Sequence, residues 1–255
     1  MKTKALSCVV VSALALMTLA QAQEINVAAA SDLQFALAEV GQNFQKTTGR
    51  VVKLNFGSSG NFYSQIENGA PFDIFFSADV DYPAKLEAAD LTETGTLYRY
   101  AVGRLVLWVP NESNIDLSKG LKALADKSVG KLAIANPAHA PYGRAAMASL
   151  RSEGVYEAVE SKLVQGENIS QAATFVASGS ADAGLLALSL ALSPAMKGKG
   201  RYVEIPQAEY PALEQAAVIL KSSHDKDTAR RFLEYLKTPG MMELLKNYGF
   251  AMPGK

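Results

Sequence analysis

Four short segments of the chain have the residue types to hold an oxyanion between them: Ala29-Ala30-Ser31-Asp32, Gly57-Ser58-Ser59-Gly60, Ala140-Pro141-Tyr142-Gly143 and Glu167-Asn168-Ile169-Ser170. Each joins a small, polar or aromatic turn to a stretch that reads as the start of a helix. The first turn of a helix carries N–H groups with no intrahelical acceptor and a partial positive charge. It can therefore hold an anion without a lysine or arginine. Serine, aspartate and asparagine are also ordinary helix N-caps, so a single such segment would carry no chemistry of its own.

Signatures of catalysis or metal binding are sparse. The two histidines, His139 and His224, have no cysteine or second histidine near them in sequence to make a metal site. His224 lies in the polar run Ser222-Ser223-His224-Asp225 and reads as a solvated loop residue. His139 precedes Tyr142 and is placed to line a cleft, although a structural role is the simpler reading. The Gly57–Gly60 turn lacks the G-x-S-x-G spacing of a nucleophile elbow; a secreted serine hydrolase using Ser59 with His139 as base is the weaker alternative. Neither G-x-x-x-x-G-K-[ST] nor G-x-G-x-x-G occurs, so nucleotide binding has no support. Asp32 reads as a first-turn carboxylate favoured by the helix dipole. Asp73 and Asp79, flanking an apolar stretch, read as acceptors for nearby turns, and Trp108 reads as core.

The 255 residues carry a formal charge of zero, with no basic stripe for a nucleic acid and no polybasic tail for a membrane surface. An anionic partner would have to be held by local dipoles. The start Met1-Lys2-Thr3-Lys4, the apolar run from Ala5 to Ala20 and the A-x-A pattern Ala20-Gln21-Ala22 together read as a secretory signal peptide over residues 1–22. A membrane anchor is the competing reading, but the run is shorter than the roughly 20 residues a spanning helix needs. Cys8, the only cysteine, falls inside that leader and too early for a lipid-anchored cleavage site, which leaves the mature chain without disulfides or thiolate chemistry.

Strand-like runs at 24–29, 51–56 and 72–77 alternate with helix-like runs at 32–47, 61–68 and 83–89, a βαβαβ unit. A long apolar strand is expected at 98–109. The alternation then resumes with strands at 131–135, 160–164 and 183–187, helices at 143–153 and 170–178, and a second extended segment at 210–220. Two helices, 225–236 and 240–248, close the chain. The pattern predicts an α/β protein with two units and two crossings between them. All four suspect turns follow the C-terminal end of a predicted strand, two in each unit, which places them at one cleft.

Several stretches resemble the periplasmic molybdate-binding proteins of ABC transporters. They are Val27-Ala28-Ala29-Ala30-Ser31, Phe56-Gly57-Ser58-Ser59-Gly60, the block from Asn68 to Asp79, Leu105-Val106-Leu107-Trp108, the stretch from Asn136 to Gly143, that from Gly179 to Ala187, and the ending from Tyr235 to Phe250. The resemblance implies a type II periplasmic binding fold with two lobes, each a mixed, mainly parallel sheet flanked by helices, residues 23–103 and 212–255 forming one lobe and 104–211 the other. It implies capture of molybdate or tungstate for an ABC importer, with no catalysis, no cofactor and a monomeric state in the periplasm. Carried over by position, Ser31 and Ser59 would supply hydroxyl and backbone donors, Tyr142 a hydroxyl donor from the A-P-Y-G loop, Ile169 a backbone N–H, and Ala30 a further N–H. Molybdenum would enter only as the oxyanion, without direct protein ligands. Some members carry a tyrosine where this chain has Ala187, and that contact is absent here. Other ligands that remain open are sulfate, phosphate, chromate and ferric iron, the last disfavoured because no adjacent tyrosine pair occurs. An all-donor site suits a dianion that stays unprotonated near neutral pH, and Asp32 would disturb it if its side chain turned inward.

Overall fold

The computed structural model describes residues 24–254; the expected signal peptide and Cys8 lie outside the described residues. The chain runs through β1 (Glu24–Ala30), a 3₁₀ turn (Ser31–Leu33), α1 (Gln34–Thr48), β2 (Val51–Gly57), α2 (Ser59–Glu67), β3 (Ile74–Ser77), α3 (Asp81–Ala88), β4 (Tyr98–Gly103) and β5 (Leu105–Pro110). It continues through a 3₁₀ segment (Leu117–Ala125), β6 (Leu132–Ala135), α4 (Pro141–Ser152), α5 (Tyr156–Val159), β7 (Leu163–Gly166), α6 (Ile169–Ala177) and β8 (Ala183–Ala187). The last elements are α7 (Leu188–Ala191), β9 (Gly200–Glu204), β10 (Leu213–Ile219), α8 (Lys226–Leu236) and α9 (Pro239–Asn247).

The strands form two five-stranded sheets with the orders β2-β1-β3-β10-β4 and β7-β6-β8-β5-β9. In each, the first three strands are parallel and the fourth runs antiparallel to both neighbours. That fourth strand adjoins a crossing: β5 has just entered the second lobe, and β10 has just returned to the first. The mixed, mainly parallel two-lobed architecture expected from the sequence is therefore present.

Burial explains why these segments take these forms. β3, β6 and β8 are buried at every position, and β5 at all but its last, as strands covered on both faces must be. On α1 the buried residues Ala36, Leu37, Val40, Gly41 and Phe44 recur at helical spacing, and the helix stops at Gly49, whose φ of 75° suits a left-handed cap. Phe44, Phe76, Phe232 and Leu245 bring α1, α8 and α9 onto one face of the first sheet, while Phe62, Phe75 and Leu86 bring α2 and α3 onto the other. Trp108, Ile134, Leu150 and Leu185 belong to the core of the second lobe.

The structure corrects two expectations and adds one element. The stretch at 98–109 is two strands in different sheets, β4 and β5, with Arg104 between them; Gly103 and Leu105 on either side of it are buried, so the apolar pattern does not mark the crossing. The strand expected at 160–164 begins only at Leu163, after a 3₁₀ turn at Glu160–Lys162. β9 has no counterpart in the sequence pattern because it is an edge strand with largely exposed residues.

Candidate functional site

The C-terminal ends of β1, β2, β6 and β7 meet where the lobes touch. There they enclose a small cavity, about 190 Å³ with its mouth included, lined from all four turns. Ala30, Ser31, Ser59, Tyr142 and Ile169 all border it, and no lysine or arginine does so among the described residues.

The backbone around this cavity holds unpaired donors, because capping consumes only part of each helix start. On α2, Asn61 N–H donates to the Ser58 side chain at 3.4 Å and Gly60 N–H donates across the lobe boundary to the His139 carbonyl at 2.8 Å. On α6, Gln171 N–H donates to Asn168 Oδ1 at 3.1 Å and Ser170 N–H to Ser31 Oγ at 3.3 Å. The first N–H of each helix, on Ser59 and Ile169, is left without a hydrogen-bond acceptor among the described residues. The same holds for Tyr142 N–H on α4, a helix with Pro141 in its first turn and no side-chain cap. Three helix starts thus turn orphan N–H groups toward one small volume, an arrangement that suits an anion.

The serine hydroxyls differ in what they can still do. Ser59 Oγ accepts from Ala78 N–H at 3.0 Å, which leaves its own hydrogen free to donate. Ser31 Oγ donates to Asn168 Oδ1 at 3.1 Å, and Ser170 Oγ lies 2.9 Å from both the Ser31 carbonyl and Gln34 Oε1, its one hydrogen serving either acceptor. Ser31 therefore joins the two lobes directly.

Two residues depart from their sequence reading. Asp32 lies in the first turn after β1 as expected, but its side chain is turned inward: it is 1 % exposed, borders the cavity, and accepts from Gln215 Nε2 at 2.6 Å. Its partner is 183 positions away on β10, which a local helix-start reading could not reach. Burial pushes its carboxyl up to about 6, against the opposing hydrogen bonds of Gln215 and the Tyr142 hydroxyl. The Tyr142 hydroxyl in turn accepts from Gln215 Nε2 at 3.4 Å and lies against Gly103, where a Cβ would overlap it. The phenol is thus committed beneath the cavity, and burial raises its pKa well above the ordinary range.

The lobe boundary carries further polar contacts. His139 shares a 2.8 Å hydrogen bond with Ser58 Oγ, and its Nε2 lies 3.7 Å from Glu167, to which Asn61 also donates. His139 thus works at the seam between lobes, and it engages Ser58 where the hydrolase reading required Ser59. Arg144 on α4 pairs with Asp79 of the first lobe and lies over the Tyr82 ring at 5.5 Å. Asp73, fully buried, accepts from Asn26 N–H at 2.7 Å and Ser223 Oγ at 2.7 Å, the turn-holding role expected of it. His224, expected to be solvated, is largely exposed but lies 2.8 Å from the Asp73 carboxylate.

Gln215 is the site residue that sequence reasoning missed. Its signal was available: it is the one amide in the run Leu213–Ile219, and a polar side chain inside a buried strand calls for a partner. Gly103 and Arg144 gave no comparable sign, because their roles depend on the opposite lobe.

Two α/β lobes closing on a donor-lined cleft define a solute-binding protein. The chain belongs to the family described as bacterial extracellular solute-binding protein, which matches residues 25–251. It is 42% identical over 234 residues to the molybdate-binding protein ModA of Azotobacter vinelandii, covering 91% of this chain and 92% of that one. It is 39% identical over 232 residues to ModA of Rhodobacter capsulatus, covering 91% and 90%. Among solved structures it is similar to the Azotobacter vinelandii periplasmic molybdate-binding protein, with a TM-score of 0.85, 34% identity, and coverage of 90% of this chain and 100% of that one.

Proposed function

We propose that this chain captures molybdate or tungstate outside the cytoplasm and passes it to the membrane permease of an ABC importer. The observation that carries the reading is the convergence of unpaired N–H groups of Ser59, Tyr142 and Ile169, with the free Ser59 hydroxyl, on one cavity without lysine or arginine. Neutral donors avoid the cost of burying an unpaired cation while the site is empty. Ser31 and Ala30 add their turn to the same volume. Both relatives above are molybdate-binding proteins, which supports this choice of anion over sulfate or phosphate. Selectivity against sulfate would follow from cavity size with donors fixed in place.

The lobe assignment belongs to the same proposal: residues 23–103 and 212–255 form one lobe, 104–211 the other, and the chain at Arg104 and before β10 forms the hinge. A periplasmic location, cleavage after residue 22 and a monomeric state complete it. A thermal-shift panel of molybdate, tungstate, sulfate, phosphate and chromate tests the ligand, since a ligand that binds only the folded state raises its melting temperature. A shift with molybdate and tungstate supports the proposal, and a shift confined to another oxyanion overturns it.

A further inference from the structure

Beneath the cavity lies a buried acid that an all-donor site does not need. Asp32 is 1 % exposed and borders the cavity; its Oδ2 accepts from Gln215 Nε2 at 2.6 Å, while its Oδ1 is buried without any hydrogen-bond partner. A buried carboxylate oxygen without a donor is costly, and a dianion beside it would be repelled at low effective dielectric. A protonated Oδ1 reverses both terms, because its hydrogen finds no acceptor in the protein and would find one in the anion.

We propose that Asp32 takes up a proton on Oδ1 as the oxyanion enters and donates that hydrogen to it, so that the dianion binds together with one proton. The idea rests on the molybdate/tungstate reading and adds to it. The proton comes from solvent and moves onto the carboxylate; no covalent bond of the anion changes. The groups facing Asp32 are Gln215 on β10, the phenols of Tyr142 on α4 and Tyr100 on β4, and the Ser189 hydroxyl on α7 that donates to the Asp32 carbonyl at 2.7 Å; behind the phenols lie Asp79, near Tyr100, and Tyr210, near Tyr142. None is cationic, so only neutral hydrogen bonds, chiefly from Gln215 and Tyr142, favour the ionised carboxyl against an arriving dianion. Burial has already moved it to about 6, which leaves a short distance for the anion to supply.

The proposal also separates two kinds of ligand. An ionised Asp32 would favour an anion that brings its own O–H, such as hydrogenphosphate, whereas a protonated Asp32 favours molybdate, which brings none.

Calorimetric titration of the purified mature protein with sodium molybdate, in buffers of different ionisation enthalpy between pH 7 and 8.5, counts the protons. The expected result is uptake approaching one proton per molybdate, with affinity rising up to about tenfold for each unit the pH falls. Asp32→Asn, close in shape, is expected to bind molybdate with no proton uptake and flat pH dependence. The wild-type proton count needs no variant, so poor folding of Asp32→Asn leaves the test intact. Molybdate binding without proton uptake overturns this inference alone. Uptake that persists in Asp32→Asn would belong to another group and also overturns it. Phosphate binding that exceeds molybdate binding at pH 8.5 and is lost in Asp32→Asn assigns the carboxylate to an incoming O–H and overturns it. Absence of any molybdate or tungstate heat rejects the ligand reading, and this inference falls with it.

Discussion

Gln215 on β10 donates to Asp32 beside β1 at 2.6 Å, both side chains buried, across 183 positions of sequence. The bond ties the strand that returns from the second lobe to the turn that lines the cavity. The same amide lies 3.4 Å from the Tyr142 hydroxyl, so a single side chain touches both walls of the cleft. Closure of the lobes and the electrostatics of the site are therefore built on shared atoms.

Ser59→Ala removes a hydroxyl that accepts from Ala78 N–H and has its hydrogen free for the ligand. Molybdate affinity should fall by about 1–3 kcal/mol, the scale of one lost donor to a charged acceptor. Titration calorimetry reads this directly, and unchanged affinity would remove Ser59 from the site.

Gly60→Ala should hold the lobes apart. A Cβ at Gly60 would stand 2.7 Å from the His139 carbonyl oxygen and 2.8 Å from His139 Cβ, both across the boundary. Small-angle scattering should show a larger radius of gyration than wild type with molybdate present, and affinity should drop at least tenfold. A variant that compacts and binds like wild type would show that the lobes do not close through this contact.

Arg144→Gln breaks the pair with Asp79 at the cleft rim without touching the cavity. Arg144 is 41% exposed, so the loss should be modest, about 1 kcal/mol and roughly a fivefold faster release of molybdate. Stopped-flow displacement would measure it; a change confined to the association rate would contradict a latching role.

Asp32 should also shape the stability of the empty protein. Its carboxyl stands at about 6 when folded against 3.8 for a free aspartate, so the folded state holds the extra proton between these values. Stability from this group is present below about pH 4 and is lost as pH rises to about 6, a change of about 3 kcal/mol. Relative to wild type, Asp32→Asn should therefore melt higher at pH 7 than at pH 4.5. An equal difference at both pH values would contradict the raised carboxyl.

The parts of the fold that obey local rules were legible in the sequence. The periodicity of α1, the apolar runs of β6 and β8 and the four helix starts are each set by neighbours a few residues apart, and they fall close to where the pattern puts them. The division of 98–109 into β4 and β5 was not legible, because a buried strand looks alike in either sheet. Nor was the inward turn of Asp32, since the Gln215 amide that receives it is distant in sequence. Tyr142 shows both sides: its backbone N–H was foreseeable from Pro141 at a helix start, whereas its hydroxyl is drawn away by Gln215 and Gly103.

Calorimetric titration of the mature chain with molybdate, tungstate and sulfate bears most directly on the function. Saturable one-to-one heats with molybdate and tungstate, and none with sulfate at the same concentration, are expected from neutral donors fixed around a cavity of set size. No heat with either metal oxyanion, or sulfate binding as tightly, would contradict it.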